Sequence, residues 1–194
     1  MKMEQHFLYN VYQHPLLAEA DLQKICDAHE KITFNKGDFY LKLGEVAQSY
    51  LIVQKGLFRS FVYDYNANDI TTGFFSENEL VIEVASLFQR TPSQESILAL
   101  TDCECLVLDF QEFQTLFHSI EGFSEWGRGW MAESLFESKQ RSVSMITDSA
   151  TDRYLKLLEY KPNILRDAPL KNIASYLGIT DTSLSRIRKE TAKL

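Results

Sequence analysis

Short apolar runs alternate with turn residues over residues 32–108, and this alternation limits the fold more than any other feature. The runs lie at 39–41, 50–53, 58–63, 71–75, 80–84, 97–100 and 106–108. Turn sequences separate several of them: Lys36-Gly37-Asp38, Lys55-Gly56 and Asn66-Ala67-Asn68-Asp69. Short strands in succession, joined by small turns, favour a compact antiparallel barrel or jelly roll.

The segments on either side of these runs follow a helical pattern. Residues 18–30 carry one apolar stripe, and a further helix is predicted to begin near Phe110. Residues 123–146 contain no proline and consist mostly of good helix formers, so they predict one long helix. In the helical C-terminal segment, Pro162 and Pro169 bracket a predicted loop.

Together these patterns predict an α+β protein in three parts. Residues 1–122 form a β-barrel or jelly-roll domain, residues 123–146 a long connecting helix, and residues 147–194 a helical domain. Trp126 and Trp130 share one face of the long helix, but its second half is mostly polar. An incomplete apolar stripe is typical of a connector or an intermolecular contact, while packing against its own barrel stays an alternative.

Charge is distributed unevenly along the chain. The net charge is −7. Residues 1–145 contain 11 Lys and Arg against 21 Asp and Glu, whereas residues 146–194 contain 9 against 6. The C-terminal segment is therefore the part of the chain that could approach a polyanion.

Composition argues against several classes of function. No apolar stretch approaches the length of a membrane span and no signal peptide is visible, so we expect a cytoplasmic protein. The cysteines form no CxxC pair and the histidines are scattered singly, so neither a metal site nor an iron–sulfur cluster is expected. A small barrel can also be a metal-dependent cupin enzyme, but that reading needs a histidine cluster that this sequence lacks. We therefore expect a protein that is not an enzyme.

Residues 169–190 carry the most informative pattern. Ala174 and Gly178 are four residues apart, as in a helix-turn-helix, where a small residue allows close packing and a glycine tolerates the turn. Thr180 stands where the second helix needs an N-cap. The predicted inward residues are Ile173, Leu177, Ile179, Leu184 and Ile187. The candidate DNA-binding residues are Lys171, Thr180, Asp181, Thr182, Ser183, Ser185, Arg186, Arg188 and Lys189. An amphipathic helical hairpin that only docks proteins is the alternative.

The order of parts resembles the family of the cyclic-AMP receptor protein and its fumarate–nitrate-reductase-type relatives, the Crp/Fnr family of transcription regulators. The resemblance runs from about Leu17 to Lys189. It rests on Lys36-Gly37-Asp38, the run 50–56, Asp152-Arg153-Tyr154-Leu155 and the run 173–189. It implies a homodimer that binds a near-palindromic DNA site, with RNA polymerase as a further possible partner. It also implies that Arg186 contacts guanine and that Phe123, Trp126 and Trp130 lie at the dimer interface.

The cyclic-nucleotide pocket of the family is degraded in this sequence. Glu83 matches the acid that holds the ribose hydroxyl. Ile82 replaces the glycine that approaches the phosphate, Glu95 replaces the arginine that neutralises it, and Ser96 follows. A carboxylate in place of the phosphate-binding cation costs several kcal/mol of binding, on the order of a lost charge-assisted pair. Cyclic AMP and cyclic GMP are not expected to bind, and the family's haem and iron–sulfur ligands are missing too, so no cofactor is predicted.

Overall fold

The structure, a computed structural model, describes the backbone of residues 3–192 and the side chains of residues 7–192; residues 1–2 and 193–194, which the predicted domain bounds include, lie outside the described residues. The strands are β1 (Glu30–Phe34), β2 (Phe39–Leu41), β3 (Ser49–Lys55), β4 (Phe58–Tyr63), β5 (Asp69–Phe75), β6 (Leu80–Val81), β7 (Ser96–Ala99) and β8 (Cys103–Asp109). The helices are α1 (Met3–Val11), α2 (Glu19–Asp27), α3 (Val84–Gln89), α4 (Phe110–Ser119), α5 (Glu121–Thr147), α6 (Ala150–Tyr160), α7 (Pro162–Asp167), α8 (Leu170–Tyr176) and α9 (Asp181–Thr191).

The strands form a sandwich of two four-stranded antiparallel sheets. One sheet has the order β1-β8-β3-β6 and the other β2-β7-β4-β5. Side chains with no exposed surface fill the space between them and extend under the helices: Leu51, Ile52, Val53, Phe58, Ile97 and Leu108. The two packed sheets confirm the predicted jelly-roll architecture. Short strands with one apolar face form it because each sheet buries its apolar face against the other.

Three local predictions need correction. The first strand, β1, begins at Glu30; four of its five residues are exposed, so hydrophobicity gives little sign of it. The run 80–84 is a strand only as far as Val81, and α3 follows because the Glu83 carboxylate caps it by accepting a hydrogen bond from the Ser86 N–H. The predicted loop after Pro162 contains α7, with Pro162 in the first turn, where proline's fixed φ suits a helix start.

The long helix α5 spans 27 residues and extends the predicted range at both ends. Its first half packs against α4, where Gly127 permits a close approach: a Cβ there would stand 2.7 Å from Cε2 of Phe117. Its second half carries exposed apolar residues, including Leu135, Phe136 and Ile146. The two alternatives predicted for this helix therefore apply to different halves of it. The first half packs within its own chain, and the second half leaves an apolar face uncovered.

A buried polar chain ties α1 and α2 to the sandwich. Nδ1 of His29 lies 2.7 Å from the carbonyl oxygen of Ile25, which can only accept, so Nδ1 carries the proton. Nε2 then accepts from the Tyr12 hydroxyl at 2.8 Å, and Tyr12 accepts from the Tyr50 hydroxyl at 2.7 Å. Burial lowers the pKa of His29 from 6.5 to about 4, although the bond to Ile25 raises it slightly. The network thus holds a neutral imidazole.

This histidine makes stability depend on pH. Between pH 6.5 and about 4 the unfolded chain binds a proton at His29 that the folded chain does not. The free energy of unfolding therefore falls as the pH drops through this window, by about 3 kcal/mol in total. Urea denaturation of wild type and His29→Gln across the window measures it. The carboxylates contribute equally to both proteins, so the wild type should lose about 3 kcal/mol more than the variant. Parallel curves would contradict the prediction.

A second apolar cluster joins the C-terminal helices to the sandwich. From the sandwich domain it contains Phe74 of β5 and the loop residues Leu57 and Leu100. From the helices it contains Tyr154, Leu157, Ile164, Ile173, Ala174, Leu177, Leu184 and Ile187. The C-terminal helices are therefore packed against the outer face of one sheet rather than standing apart from it.

Candidate functional site

The helix pair α8–α9 is built as the sequence predicted. Of the inward residues, Ile173, Leu177, Leu184 and Ile187 are buried and Ile179 is half-buried. Gly178 makes the turn with a φ of +68°, and a Cβ there would lie 2.5 Å from Cε of Met145. The turn therefore favours glycine at this position, and the Met145 methyl group of α5 packs directly against it.

The second helix of the pair presents a polar outer face. Asp181, Thr182, Ser185, Arg186, Arg188 and Lys189 are exposed on α9, as is Lys171 on α8. Thr180 forms the predicted N-cap, accepting from the Ser183 N–H at 3.2 Å. Its hydroxyl also lies 3.0 Å from Oγ of Ser183, which is half-buried. Thr180 and Ser183 therefore have a structural role in starting the helix, and the Thr182 hydroxyl joins them at 2.9 Å from Oγ1 of Thr180.

Arg186 is an available cation on that face. Its side chain is 75% exposed, and the ion pair that it forms with Glu190 spans 4.0 Å. Exposed pairs at this spacing contribute a few tenths of a kcal/mol, so the guanidinium can leave Glu190 for a better acceptor at little cost.

A chain of polar side chains, which no sequence pattern predicted, holds α8 against the sheet edge. The buried guanidinium of Arg59 donates to Asp69 at 2.6 Å and to Oγ1 of Thr71 at 3.1 Å. Oγ of Ser175 donates to the same Thr71 oxygen at 3.1 Å, and it accepts from the Thr71 backbone N–H at 3.1 Å. Since β5 ends its sheet, this serine satisfies an amide that no neighbouring strand pairs.

The three pocket candidates belong to the sandwich domain, and each of them is hydrogen-bonded to a neighbouring part of that domain. Glu83 caps α3, and the buried Ser96 hydroxyl accepts from the Leu43 N–H at 2.9 Å. Glu95 accepts from Oγ1 of Thr72 at 2.6 Å. Burial raises the pKa of Glu95, and the negative charge of Glu83 adds to that rise. The two carboxylates therefore act on the same space, which is electrostatically opposed to a phosphate.

No cation of the α3 loop offsets these carboxylates. Arg90 follows α3, and its guanidinium donates to the Ala47 carbonyl at 2.6 Å and to Oε1 of Gln48 at 2.5 Å. It also lies over the Phe110 ring at 4.6 Å. Ile82 is buried, and the cavity that it lines beneath α5 has a volume of only about 20 Å³. That volume is far below the roughly 300–1,000 Å³ of ordinary ligand pockets.

The predicted dimer-interface residues face their own chain. Phe123 has no exposed surface and stacks on Trp126 at 5.6 Å between ring centroids. Nε1 of Trp126 donates to the Val11 carbonyl at 3.0 Å, and Trp130 is half-buried against the same core. The assignment of Phe123 to a dimer interface is therefore wrong, because its surface is already covered. Both tryptophans make their contacts within the chain.

Metal chemistry is not indicated by the described side chains. No group of three or more His, Cys, Asp or Glu among residues 7–192 is arranged to hold a metal. The three cysteines Cys26, Cys103 and Cys105 are free and buried. None of the described helices is long and apolar enough to cross a membrane.

Comparison with known proteins identifies the sandwich. Residues 31–119 match the family model of the cyclic nucleotide-binding domain. No protein with a curated description matches the chain by sequence.

Solved structures match nearly the whole chain at low identity. The catabolite activator protein of Thermus thermophilus is 18% identical with a TM-score of 0.60, covering 94% of this chain and 87% of its own. FixK2 of Bradyrhizobium japonicum is 14% identical with a TM-score of 0.73, covering 85% of both chains. A protein of Eubacterium rectale assigned to the Crp/Fnr family of transcriptional regulators is 17% identical with a TM-score of 0.70, covering 94% and 88%. The chain therefore carries a domain of the cyclic nucleotide-binding family within the overall fold of the Crp/Fnr regulators.

Proposed function

We propose that the protein is a homodimeric transcription regulator that binds DNA in a sequence-specific way through α9 and does not respond to a cyclic nucleotide. The observation that carries the proposal is the outer face of α9, where hydrogen-bonding and cationic side chains are exposed on a helix fixed by Leu184 and Ile187. A helix presented in this way fits the major groove, which is wide enough to admit it. Proteins with the same fold are named as activators and transcriptional regulators, which supports this reading.

Dimerisation is proposed through the second half of α5. Ala132, Phe136, Lys139, Val143 and Ile146 follow the 4-3-4-3 spacing of a coiled-coil seam. Phe136 is 57% exposed and Ile146 86% exposed within the single chain. A second copy packed along this seam would cover them and set two α9 helices about one DNA turn apart. The proposed interface is therefore this seam and not the face that carries the two tryptophans.

The experiment that tests the proposal is selection of bound sequences from a random duplex pool with the full chain, followed by affinity measurements at several salt concentrations. We expect an enriched near-palindrome whose half-sites lie one helical turn apart, and an affinity that falls steeply with salt. A protein that only docks other proteins through this helix pair would enrich nothing, and its weak affinity for duplex would not depend on sequence. That result would overturn the proposal.

The barrel is expected not to bind cyclic AMP or cyclic GMP. A cyclic phosphate would meet the Glu95 carboxylate and find no partner for its charge. Isothermal titration calorimetry of the wild type should therefore show no saturable heat at micromolar nucleotide. The double variant Ile82→Gly with Glu95→Arg restores the two missing groups and should bind more tightly than wild type. Micromolar affinity of the wild type for either nucleotide would contradict this prediction.

A further inference from the structure

A cavity of about 180 Å³ lies where the end of α5 meets α6 and the end of α8. It is separate from the outer face of α9 and from the barrel pocket. Its apolar and aromatic walls are Met145, Leu157, Tyr160, Tyr176 and Leu177. Four cationic side chains complete it, namely Arg141, Arg153, Lys156 and Lys161.

Two of these cations are neutralised by carboxylates. Nζ of Lys156 lies 2.7 Å from Asp148, and Nζ of Lys161 lies 2.5 Å from Glu79. The Lys156 ammonium holds the pKa of Asp148 at about 2, so that carboxylate stays charged. These two ion pairs therefore contribute no net charge to the cavity.

The two arginines contact only neutral groups. Nη2 of Arg141 donates to the Tyr176 carbonyl at 2.9 Å, and its guanidinium lies 4.3 Å from the Tyr176 ring centroid. Arg153 donates to the Leu177 carbonyl at 3.1 and 3.0 Å and to the Asp148 carbonyl at 2.6 Å. Among the described side chains of residues 7–192, neither guanidinium forms an ion pair with a carboxylate.

The cavity therefore holds two positive charges, those of Arg141 and Arg153, that have no carboxylate partner of their own among residues 7–192. The two guanidinium groups bind the carbonyls of consecutive residues, Tyr176 and Leu177, and they line the same cavity; both arginines are half-buried. Carbonyl dipoles offset such charges only in part, whereas a carboxylate would neutralise one of them, a doubly ionised phosphate both, and either group would accept charge-assisted hydrogen bonds.

We propose that this cavity binds a small organic anion, with one carboxylate or phosphate group between Arg141 and Arg153 and an apolar or aromatic part against the tyrosines. Tyr160 is 75% exposed at the rim, where it can cover a ring. The volume is below that of the roughly 300–1,000 Å³ pockets that hold drug-sized ligands, so the ligand has about one ring.

A ligand in this cavity would contact three helices at once. Arg141 belongs to α5, Arg153 and Tyr160 to α6, and Tyr176 to α8. Binding would therefore fix the helix pair relative to the long helix. The site itself does not depend on the proposed function, since it is tested without DNA.

The test is calorimetric titration of the full chain with phenyl phosphate, benzoate, inorganic phosphate and neutral benzyl alcohol. Saturable binding of one phenyl phosphate or benzoate per chain is expected, and the preferred one of the two identifies the anionic group. Inorganic phosphate should bind at least tenfold more weakly, and benzyl alcohol not at all. Hydrogen exchange at the amides of α8 should slow on binding.

Variants locate the site. Arg141→Met keeps the aliphatic stem and should weaken binding at least tenfold. Lys156→Met leaves the Tyr176 and Leu177 carbonyl contacts in place and should also weaken binding, because it leaves Asp148 without its cation. Arg128→Met is the matched control, since it removes an exposed arginine from the same helix and should leave binding unchanged. Absence of saturable binding of both aromatic anions at millimolar concentration would overturn the proposal. Equal weakening by Arg128→Met, or equal affinity for inorganic phosphate, would overturn it as well.

Discussion

Arg186→Ala should abolish the preference of the protein for its selected DNA site over random duplex. An arginine bidentate to guanine discriminates by about 1–3 kcal/mol, and a symmetric dimer uses it twice, so specific affinity should fall at least about 30-fold. The side chain is exposed and only loosely paired with Glu190, so its removal should leave the fold intact. Fluorescence anisotropy with the selected and a scrambled duplex measures both affinities.

Lys189→Ala is the control for Arg186→Ala. Lys189 also lies on the exposed face of α9 and is expected to hold a phosphate. Its loss should weaken binding to both duplexes together and reduce the salt slope by about one unit per contact. If Arg186→Ala instead weakens both duplexes equally, Arg186 holds phosphate, and base contacts must come from Thr182 and Ser185.

Phe136→Glu should convert the dimer into a monomer. The two-fold axis of a parallel helix pair would place two new carboxylates opposite each other in the seam, where both the lost apolar contact and the repulsion oppose association. Sedimentation at micromolar protein should give about twice the 22.4 kDa chain mass for wild type and a single chain mass for the variant. DNA affinity should fall with it, because each chain would then bind one half-site.

Tyr65→Glu is the matched control for the dimer. It replaces an aromatic residue that is 96% exposed in the turn between β4 and β5, far along the chain from α5. It should sediment as wild type does. A wild-type protein that remains a single chain across the micromolar range would refute dimerisation through α5.

The sequence predicted most of the sandwich because its strands are short, apolar and separated by turn residues. It missed β1, whose residues are mostly exposed, and it missed α3, whose start depends on the side chain of Glu83. The helix pair was predicted well, since Ala174, Gly178 and the cap at Thr180 are local signals. Local signals require no knowledge of distant contacts, and they were the ones that succeeded.

The faces of α5 could not be assigned in this way. Two tryptophans four residues apart show that one face of the helix is apolar, but they do not show whether the barrel or a second chain covers it. The structure places Trp126 and Trp130 against the barrel, and the exposed apolar residues lie on another face. The contact between Thr71 and Ser175 was equally hidden, because it joins residues that are far apart in the chain.

That contact has a consequence for solubility. Strand β5 is the edge strand of its sheet, and α8 covers it. The Thr71 N–H on this edge donates its hydrogen bond to Oγ of Ser175. Uncovered edge strands pair readily with other chains and start aggregation. The helical domain is therefore also a protective cover, so a fragment cut after α5 should self-associate. Any rearrangement that lifts α8 from the sheet must bring something else to β5, or the protein becomes prone to polymerise at the moment it changes shape.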